Sequence, residues 1–504
     1  MIHSPYLLKN IDELVTRIIK AIKKNLKIII FGDCDFDGAV SGIELYKLLL
    51  NFTDNVELKF VERSTGHGSQ HIIEEIPDDT GLYIAVDSSS NDVEEMKYLA
   101  SKGIECLIID HHTVTINNPY AILVNPQQEG CKYPNKNSCG GLLVYKVCQV
   151  IDDYMNTNFS EKYKDLPGLA LLADMMSMME PENRYYVNYS LSQLSHAGLK
   201  FLFEGMNCDL ANLTSTDFLY GPSPAITAAT RLDNIKLAID LLMCDELNDK
   251  IELIVGELLK ANEYRKQVQA EALERLKPTI NTENKVIIVV DPTLGKGLNG
   301  LVGQELSKYF NRPAIVLGYG EDDTYAGSYR GLEEFSMMDL LNECDNVIFA
   351  AGHAGAGGIG LKRDDLSKLQ DELNFKLSDF EADNSIEYDL EFDVNEINEK
   401  TILQINDFYR ISGQGIKPGK FLIKNVFSED KKLMGKTKNT IKVFCGPVAL
   451  MKFKADETYY NNFPIFAELD VVGTLNMNYW KKFKPKFEIV KTMQVFIEDY
   501  KENN

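Results

Sequence analysis

The chain has 504 residues, 44% of them apolar, and its 75 acidic side chains outnumber 53 basic ones to leave a net charge of −22. That length exceeds a single core and predicts about two to four domains. So acidic a surface excludes adhesion to DNA over the whole molecule, though not a local basic face. No apolar run approaches the roughly 20 residues of a membrane span, and no basic patch, apolar stretch and small-residue cleavage site open the chain, so the expectation is a soluble, cytoplasmic protein with no membrane partner. The nine cysteines are scattered without a C-x-x-C pair, which signals neither a disulfide framework nor a zinc knuckle.

From about residue 26 the sequence alternates apolar runs with helical stretches, the pattern of a parallel sheet wound on both faces. Ile28-Ile29-Ile30-Phe31 leads into Asp33-Cys34-Asp35-Phe36-Asp37-Gly38, and the segment from Gly38 to Leu50 reads as the first crossover helix. Leu82-Tyr83-Ile84-Ala85-Val86 ends in Asp87 and three serines; Leu107-Ile108-Ile109 ends in Asp110-His111-His112; Ala121-Ile122-Leu123-Val124 ends in Asn125. In such sheets ligands bind beyond the carboxyl ends of the strands, so four polar endpoints converge on one crevice. Read alone, each has a structural explanation, since aspartates cap helices and single histidines are commonly hydrogen-bonded. Three aspartates on alternate positions are different, because crowded carboxylates repel one another unless a cation lies between them. Cys34 lies inside that cluster, where a side chain between two ligands is expected to point away from a metal.

Gly140 and Gly141 open another helix, and Leu169-Ala170-Leu171-Leu172-Ala173 delivers Asp174 into a methionine-rich segment, Met175, Met176, Met178 and Met179, read as flexible core filler. Helical spacing at Ile251, Ile254, Val255, Leu258 and Leu259, with a stop at Lys277-Pro278, predicts a long connecting helix. A second α/β unit is expected from Val286-Ile287-Ile288-Val289-Val290 through Ala314-Ile315-Val316-Leu317 to Val347-Ile348-Phe349-Ala350, which breaks into the glycine-rich Gly352-His353-Ala354-Gly355-Ala356-Gly357-Gly358. Such a break lets backbone approach an anion, and a tight turn of small residues is the alternative. An acidic, helical stretch follows from about 361 to 398. Lys417 to Lys442 then contains eight lysines, with Tyr409, Phe421, Phe444, Phe453, Tyr479 and Trp480 nearby. Charge with aromatic rings suits a small β-barrel that grips single strands, and a solvated lysine face over a β core is the competing reading.

The ordered set Gly32 to Gly38, Val86-Asp87, Asp110-His111-His112 and Leu172-Ala173-Asp174 resembles the DHH phosphoesterase family, and Ala351 to Gly358 looks like its associated domain. With Asn262 and Arg265 in the long helix, Gly327-Ser328-Tyr329-Arg330, and the lysine-rich tail, the resemblance is to the RecJ subgroup of single-strand exonucleases, in a divergent, phage-type form. The resemblance implies an α/β fold: a parallel-sheet DHH catalytic domain (1–232), a helical connector (233–278), a second α/β, DHH-associated substrate-binding domain (279–384), and an OB-like nucleic-acid-binding β-barrel (385–504). It implies two divalent ions, manganese or magnesium, held by Asp35, Asp37, Asp87, His111 and Asp174. Asp33 is a further ligand or lies just behind the ligands, Asp110 orients an imidazole, and His112 meets the reacting phosphate. Arg231, Ser328, Arg330, Gly352 and His353 are the expected substrate contacts. The implied activity is metal-dependent 5′ to 3′ hydrolysis of single-stranded DNA in repair, recombination or replication, by a monomer, with a single-strand-binding protein or helicase as candidate partners.

Two stretches depart from the subgroup. Ala225-Ile226-Thr227-Ala228-Ala229-Thr230-Arg231 keeps the final arginine of R-I-N-A-A-G-R but loses its first arginine, its asparagine and its glycine, and Leu294-Gly295-Lys296-Gly297 stands in place of G-W-H-Q-G. Strand polarity and length preference are therefore open. Two other readings stay beside the first: a DHH phosphodiesterase acting on nanoRNA or cyclic dinucleotides, and a non-catalytic DNA-binding scaffold with a relic site.

Overall fold

The structure, a computed structural model, describes residues 2–503 apart from 296, 384, 436, 437, 456 and 483–487. It has two units: Met1–Met176 with Glu180–Leu213 and Asp217–Asn384, and Ser177–Met179 with Thr214–Thr216 and Ser385–Asn504.

Five strands of the first unit form one sheet: β1 Lys27–Gly32, β2 Val56–Phe60, β3 Thr80–Val86, β4 Glu105–Ile109 and β5 Ala121–Val124. All pair in parallel, in the order β2-β1-β3-β4-β5. Ile28 to Phe31, Leu82 to Val86 and Leu107 to Ile109 are buried, as strands covered by helices on both faces must be. The order reverses between β1 and β3, and at such a switch the connections leave in opposite directions and open a crevice. Asp33 to Asp37 follow β1 and Asp87 follows β3, so both acidic segments enter that crevice. The first crossover helix is Phe36–Leu49, and the helix Gly140–Met155 packs against it. Asp174 follows a seven-residue helix, Pro167–Ala173. The methionines beyond it divide: Met178 is buried, whereas Met175 and Met179 are exposed and do not fill a core.

The long helix is Asp249–Leu276, begun by Asn248, whose side chain accepts from the amides of Lys250 and Ile251. It leads to a second sheet in the same unit: β6 Ile287–Val290, β7 Ala314–Tyr319, β8 Thr324–Arg330, β9 Phe349–His353 and β10 Ala356–Lys362, in the order β6-β7-β8-β10-β9. Only β6 and β7 are parallel. The glycine-rich segment is not a break after a strand. It is the hairpin β9–β10 itself, turning at Ala354-Gly355, because glycines let two backbones approach where side chains would collide: a Cβ on Gly357 would lie 2.1 Å from the Ala351 carbonyl oxygen.

The second unit is built on β11 Leu390–Asp393, β12 Phe421–Ser428, β13 Asp430–Met434, β14 Thr440–Cys445, β15 Val448–Phe453, β16 Ala467–Lys482 and β17 Glu488–Glu502, ordered β11-β12-β16-β17-β15-β14-β13. Alternation sends Phe421, Ile423, Ile441, Val443, Leu469 and Val471 into its core. Among the described residues the two end strands do not pair, so the sheet is OB-like without closing into a barrel. Of the aromatic residues expected to stack on a nucleic acid, Phe421 belongs to the core and Tyr409 packs on it, whereas Phe453 and Tyr479 are exposed. Lys432 and Lys442 each lie 5.2 Å from the Phe444 ring centroid. The Trp480 side chain and Lys296 fall outside the described residues. No described helix is long and apolar enough to cross a membrane.

Candidate active site

Asp35 begins the helix Phe36–Leu49, its Oδ1 accepting from the amides of Asp37 (3.0 Å) and Gly38 (3.2 Å). Asp37, the second residue of that helix, is buried and accepts from the amides of Gly140 (2.7 Å) and Gly141 (2.8 Å), so a second helix N-terminus holds its carboxylate. Space dictates those two glycines: a Cβ on Gly140 would stand 2.5 Å from Asp87 Oδ1, and one on Gly141 3.1 Å from Asp37 Oδ1. Asp87 itself has φ +61°, a conformation that strains a non-glycine residue, and its amide donates to the Ile109 carbonyl (2.8 Å).

His111 Nε2 lies 3.2 Å from Asp87 Oδ1, 3.4 Å from Asp174 Oδ2 and 4.0 Å from Asp37 Oδ2. Asp33 Oδ1, Asp87 Oδ1 and Asp174 Oδ2 are buried and accept no hydrogen bond. Burial, reinforced by the surrounding carboxylates, pushes Asp87 well above the usual carboxyl range and Asp174 up to about 8; burial also raises Asp37. Burial and the neighbouring His112 charge lower His111. Such a set cannot all be ionised with no cation among them. Donor atoms of Asp37, His111 and Asp174, and of Asp33, Asp35 and Asp87, lie within 4.8 Å of one another, spacing that suits divalent ions bound by oxygen and imidazole. The residues therefore fit a metal centre.

Asp110 works behind this cluster. One oxygen accepts from the amides of His111 (2.7 Å) and His112 (3.1 Å) and from His112 Nδ1 (2.8 Å); the other accepts from the Ser90 amide (3.1 Å). Burial opposes its ionisation, yet the bond from His112 and the two imidazole charges hold it well below the usual range. The imidazole that Asp110 orients is thus that of His112. Although burial opposes it, the same bond pushes His112 up to about 9. Asn125, after β5, donates to Ser90 Oγ and to the His112 carbonyl, which braces this segment.

His67 is a residue that the sequence reading missed. It lies in the loop after β2, on the same carboxyl edge, and its Nδ1 is 2.5 Å from Asp33 Oδ2. The hydrogen bond to Asp33, with a second to Cys34, pushes it up to about 11. The rule that located the other endpoints does not reach it, since β2, although a parallel strand, carries Glu57 and Lys59 and is not an apolar run.

A basic face lies in the same unit. Arg231 ends the helix Pro222–Arg231 and donates to the Gly297 carbonyl (2.7 Å), leaving Nε buried without an acceptor. Burial, followed by the charges of Arg63, Arg330 and Arg265, lowers it to about 10. Among the described residues none of these four arginines makes an ion pair with a carboxylate. Arg265 is held by Asn262 and Gln269, and Arg330 packs on Gly300, where a Cβ would lie 2.3 Å from its guanidinium. Arg330, Ala356 and His353 form one rung across β8, β10 and β9; Ser328, Gly358 and Ala351 form the next; Ala326, Gly360 and Phe349 the third. These small residues leave that face low, and the Phe349 ring lies over Gly360 with 49% of the residue exposed. Gly352 is out of phase with Ser328 and His353. Its φ of +133° and its approach to the Ala356 and Gly357 backbone serve the hairpin.

Comparison with known proteins agrees with this architecture. Residues 27–177 match the DHH family, N-terminal domain, and residues 388–491 match the RecJ OB domain. The chain contains a DHH-family domain and a RecJ-type OB domain. The SPbeta prophage-derived YorK of Bacillus subtilis, whose name describes a single-strand DNA-specific exonuclease, is 27% identical over 96% of this chain and 90% of its own length. The single-stranded-DNA-specific exonuclease RecJ of the same organism is 26% identical over 98% of this chain, which spans 64% of that relative. The fold of this DHH protein is similar to that of Thermus thermophilus RecJ in complex with Mn2+, with a TM-score of 0.79 at 20% identity, covering 99% of this chain and 72% of that one.

Proposed function

We propose that this RecJ-type protein is a metal-dependent exonuclease that hydrolyses single-stranded DNA, in the 5′ to 3′ direction and to mononucleotides. The observation that carries the chemistry is the group of buried carboxylate oxygens on Asp33, Asp87 and Asp174 that accept no hydrogen bond. The observation that carries the substrate is the group of arginines, 63, 231, 265 and 330, none of which makes an ion pair with a carboxylate among the described residues. A phosphodiester strand with its cations meets both needs. The names of YorK and RecJ support the same reading.

In this reading Asp35, Asp37, Asp87, His111 and Asp174 hold two divalent ions, manganese or magnesium. When bound, these supply a water-derived nucleophile at neutral pH and neutralise the phosphoryl oxygens. Asp37 is aimed by the amides of Gly140 and Gly141. Asp110 fixes His112 through Nδ1 and keeps it cationic, so that the other ring nitrogen can donate to a phosphoryl oxygen as charge develops there. His67 holds Asp33 in place beside the cluster. Arg231, Arg330, Ser328 and His353 bind phosphates along the strand, with Gly352 shaping the hairpin that presents them, and the exposed ring of Phe349 stacks on a base. Residues 385–504 act as a further single-strand-binding domain, alongside a catalytic domain of 1–232, a connector of 233–278 and a substrate-binding domain of 279–384. The reading places a monomer in the cytoplasm, where a helicase or single-strand-binding protein supplies its substrate.

The test is digestion of single-stranded DNA labelled at either end, with manganese. Labelled mononucleotide appears first from the 5′ end if the proposal holds. Untouched DNA, alongside cleavage of dinucleotides, would transfer the assignment to a small-substrate phosphodiesterase.

A further inference from the structure

Cys34 was expected to point away from any metal, and the proposed hydrolysis does not use it. Its thiol is buried and turns to the His67 imidazole: Sγ lies 3.7 Å from Nδ1 and 4.0 Å from Asp33 Oδ2, while Nδ1 and Oδ2 are 2.5 Å apart. Three donors of three chemical kinds thus face a common point, from the turn after β1 and the loop after β2. The loop is shaped to bring His67 there. Gly66 and Gly68 flank it at φ +116° and +90°, and a Cβ on either would press within 3 Å of His71 or Asp92.

We propose that Asp33, Cys34 and His67 form a separate binding site for a soft divalent cation of the zinc class, with Asp33 shared between this site and the carboxylate cluster. Tetrahedral zinc holds sulfur, nitrogen and oxygen at bond lengths that place neighbouring donors about 3.4 to 3.6 Å apart. The two sulfur distances lie within about half an ångström of that. The shorter His67–Asp33 distance is the hydrogen bond that the metal replaces. The His67 side chain is 57% exposed, which gives solvent access to the fourth position, as in a three-ligand site completed by water. Thiolate and imidazole favour zinc over manganese or magnesium, whereas the carboxylate cluster beside them has the opposite preference. Binding breaks the Cys34 S–H bond as the sulfur–metal bond forms and removes the proton between Nδ1 and Oδ2. Both protons go to solvent, and the imidazole is left protonated at Nε2.

This site does not depend on which substrate the chain cuts, and its test uses no substrate. Cobalt(II) is added to the full chain as the visible substitute for zinc. The proposal predicts a near-ultraviolet thiolate-to-cobalt band that saturates at one equivalent, is bleached by zinc, vanishes in Cys34→Ala and Cys34→Ser, and requires about tenfold to a hundredfold more cobalt in His67→Gln. Manganese-dependent hydrolysis should persist in Cys34→Ala, because the thiol lies outside the hydrolytic machinery. No band in the native chain, or a band unchanged in a folded Cys34 variant, overturns the site. A band without DNA digestion overturns only the exonuclease reading.

Discussion

The carboxyl edge of β1 to β5 and the low face of β8, β10 and β9 are charged in opposite senses, and the protein leaves each incomplete. At the edge, buried carboxylates crowd one another, and three of their oxygens accept no hydrogen bond. On the second sheet and beside it, arginines gather with no carboxylate ion pair among the described residues, and burial together with their charges lowers the basicity of Arg231. Buried charges are tolerated only when something answers them. The edge calls for cations and the face for anions, so in the proposed function the two regions divide the work of holding a phosphodiester. They also differ in construction. At the edge the side chains are fixed by helix N-termini and strand ends, whereas the arginines come from a helix end, a long helix, a loop and the end of β8.

Substitutions should separate these roles. Asp87→Asn or His111→Ala removes a proposed ligand, and the rate of nucleotide release with manganese should fall by more than about a hundredfold, with strand affinity little changed. Gly140→Ala should come next. Its methyl group enters the space of Asp87 Oδ1, so manganese affinity, read by calorimetry, should weaken by at least about tenfold although no ligand is altered. Arg231→Ala should act on the opposite region, weakening strand binding in low salt and reducing the slope of log K against log salt by about 0.7. Phe349→Ala should cost about 1 to 3 kcal/mol of strand affinity while leaving manganese binding intact.

The edge was legible from sequence because a parallel sheet makes a simple promise: whatever follows each buried apolar run arrives at one rim. Asp33 to Asp37, Asp87 and Asp110 to His112 could therefore be grouped without coordinates. His67 escaped because β2 is half-exposed and does not read as an apolar run. Gly140 and Gly141 were seen as a helix start, but their amides reach Asp37 across more than a hundred residues, a relation that no local pattern carries. The basic face was legible only in part. Ser328, Arg330 and His353 came from the resemblance, whereas the Phe349 platform depends on strand register and Arg63 on the path of the loop after β2. The hairpin was read as a break because glycines, which usually interrupt strands, here allow two strands to approach.

Proton linkage gives a smaller effect that belongs to the edge alone. Asp174 rises from an ordinary 3.8 to about 8 in the folded, metal-free chain, mainly through burial. A carboxyl whose folded value is raised contributes stability that is complete below 3.8 and is lost as pH rises towards about 8. The melting temperature of the metal-free chain should therefore fall across that window. Manganese should raise it more at the upper end than at the lower, because the ions replace the protons.

The most direct test is a manganese titration of the native chain and of Asp87→Asn, followed by calorimetry. The account predicts two ions per native chain and loss of at least one in the variant, with the fold retained. A folded native chain that binds no manganese, or an Asp87→Asn chain that binds it undiminished, would contradict the claim that the buried carboxylates of this edge exist to hold cations.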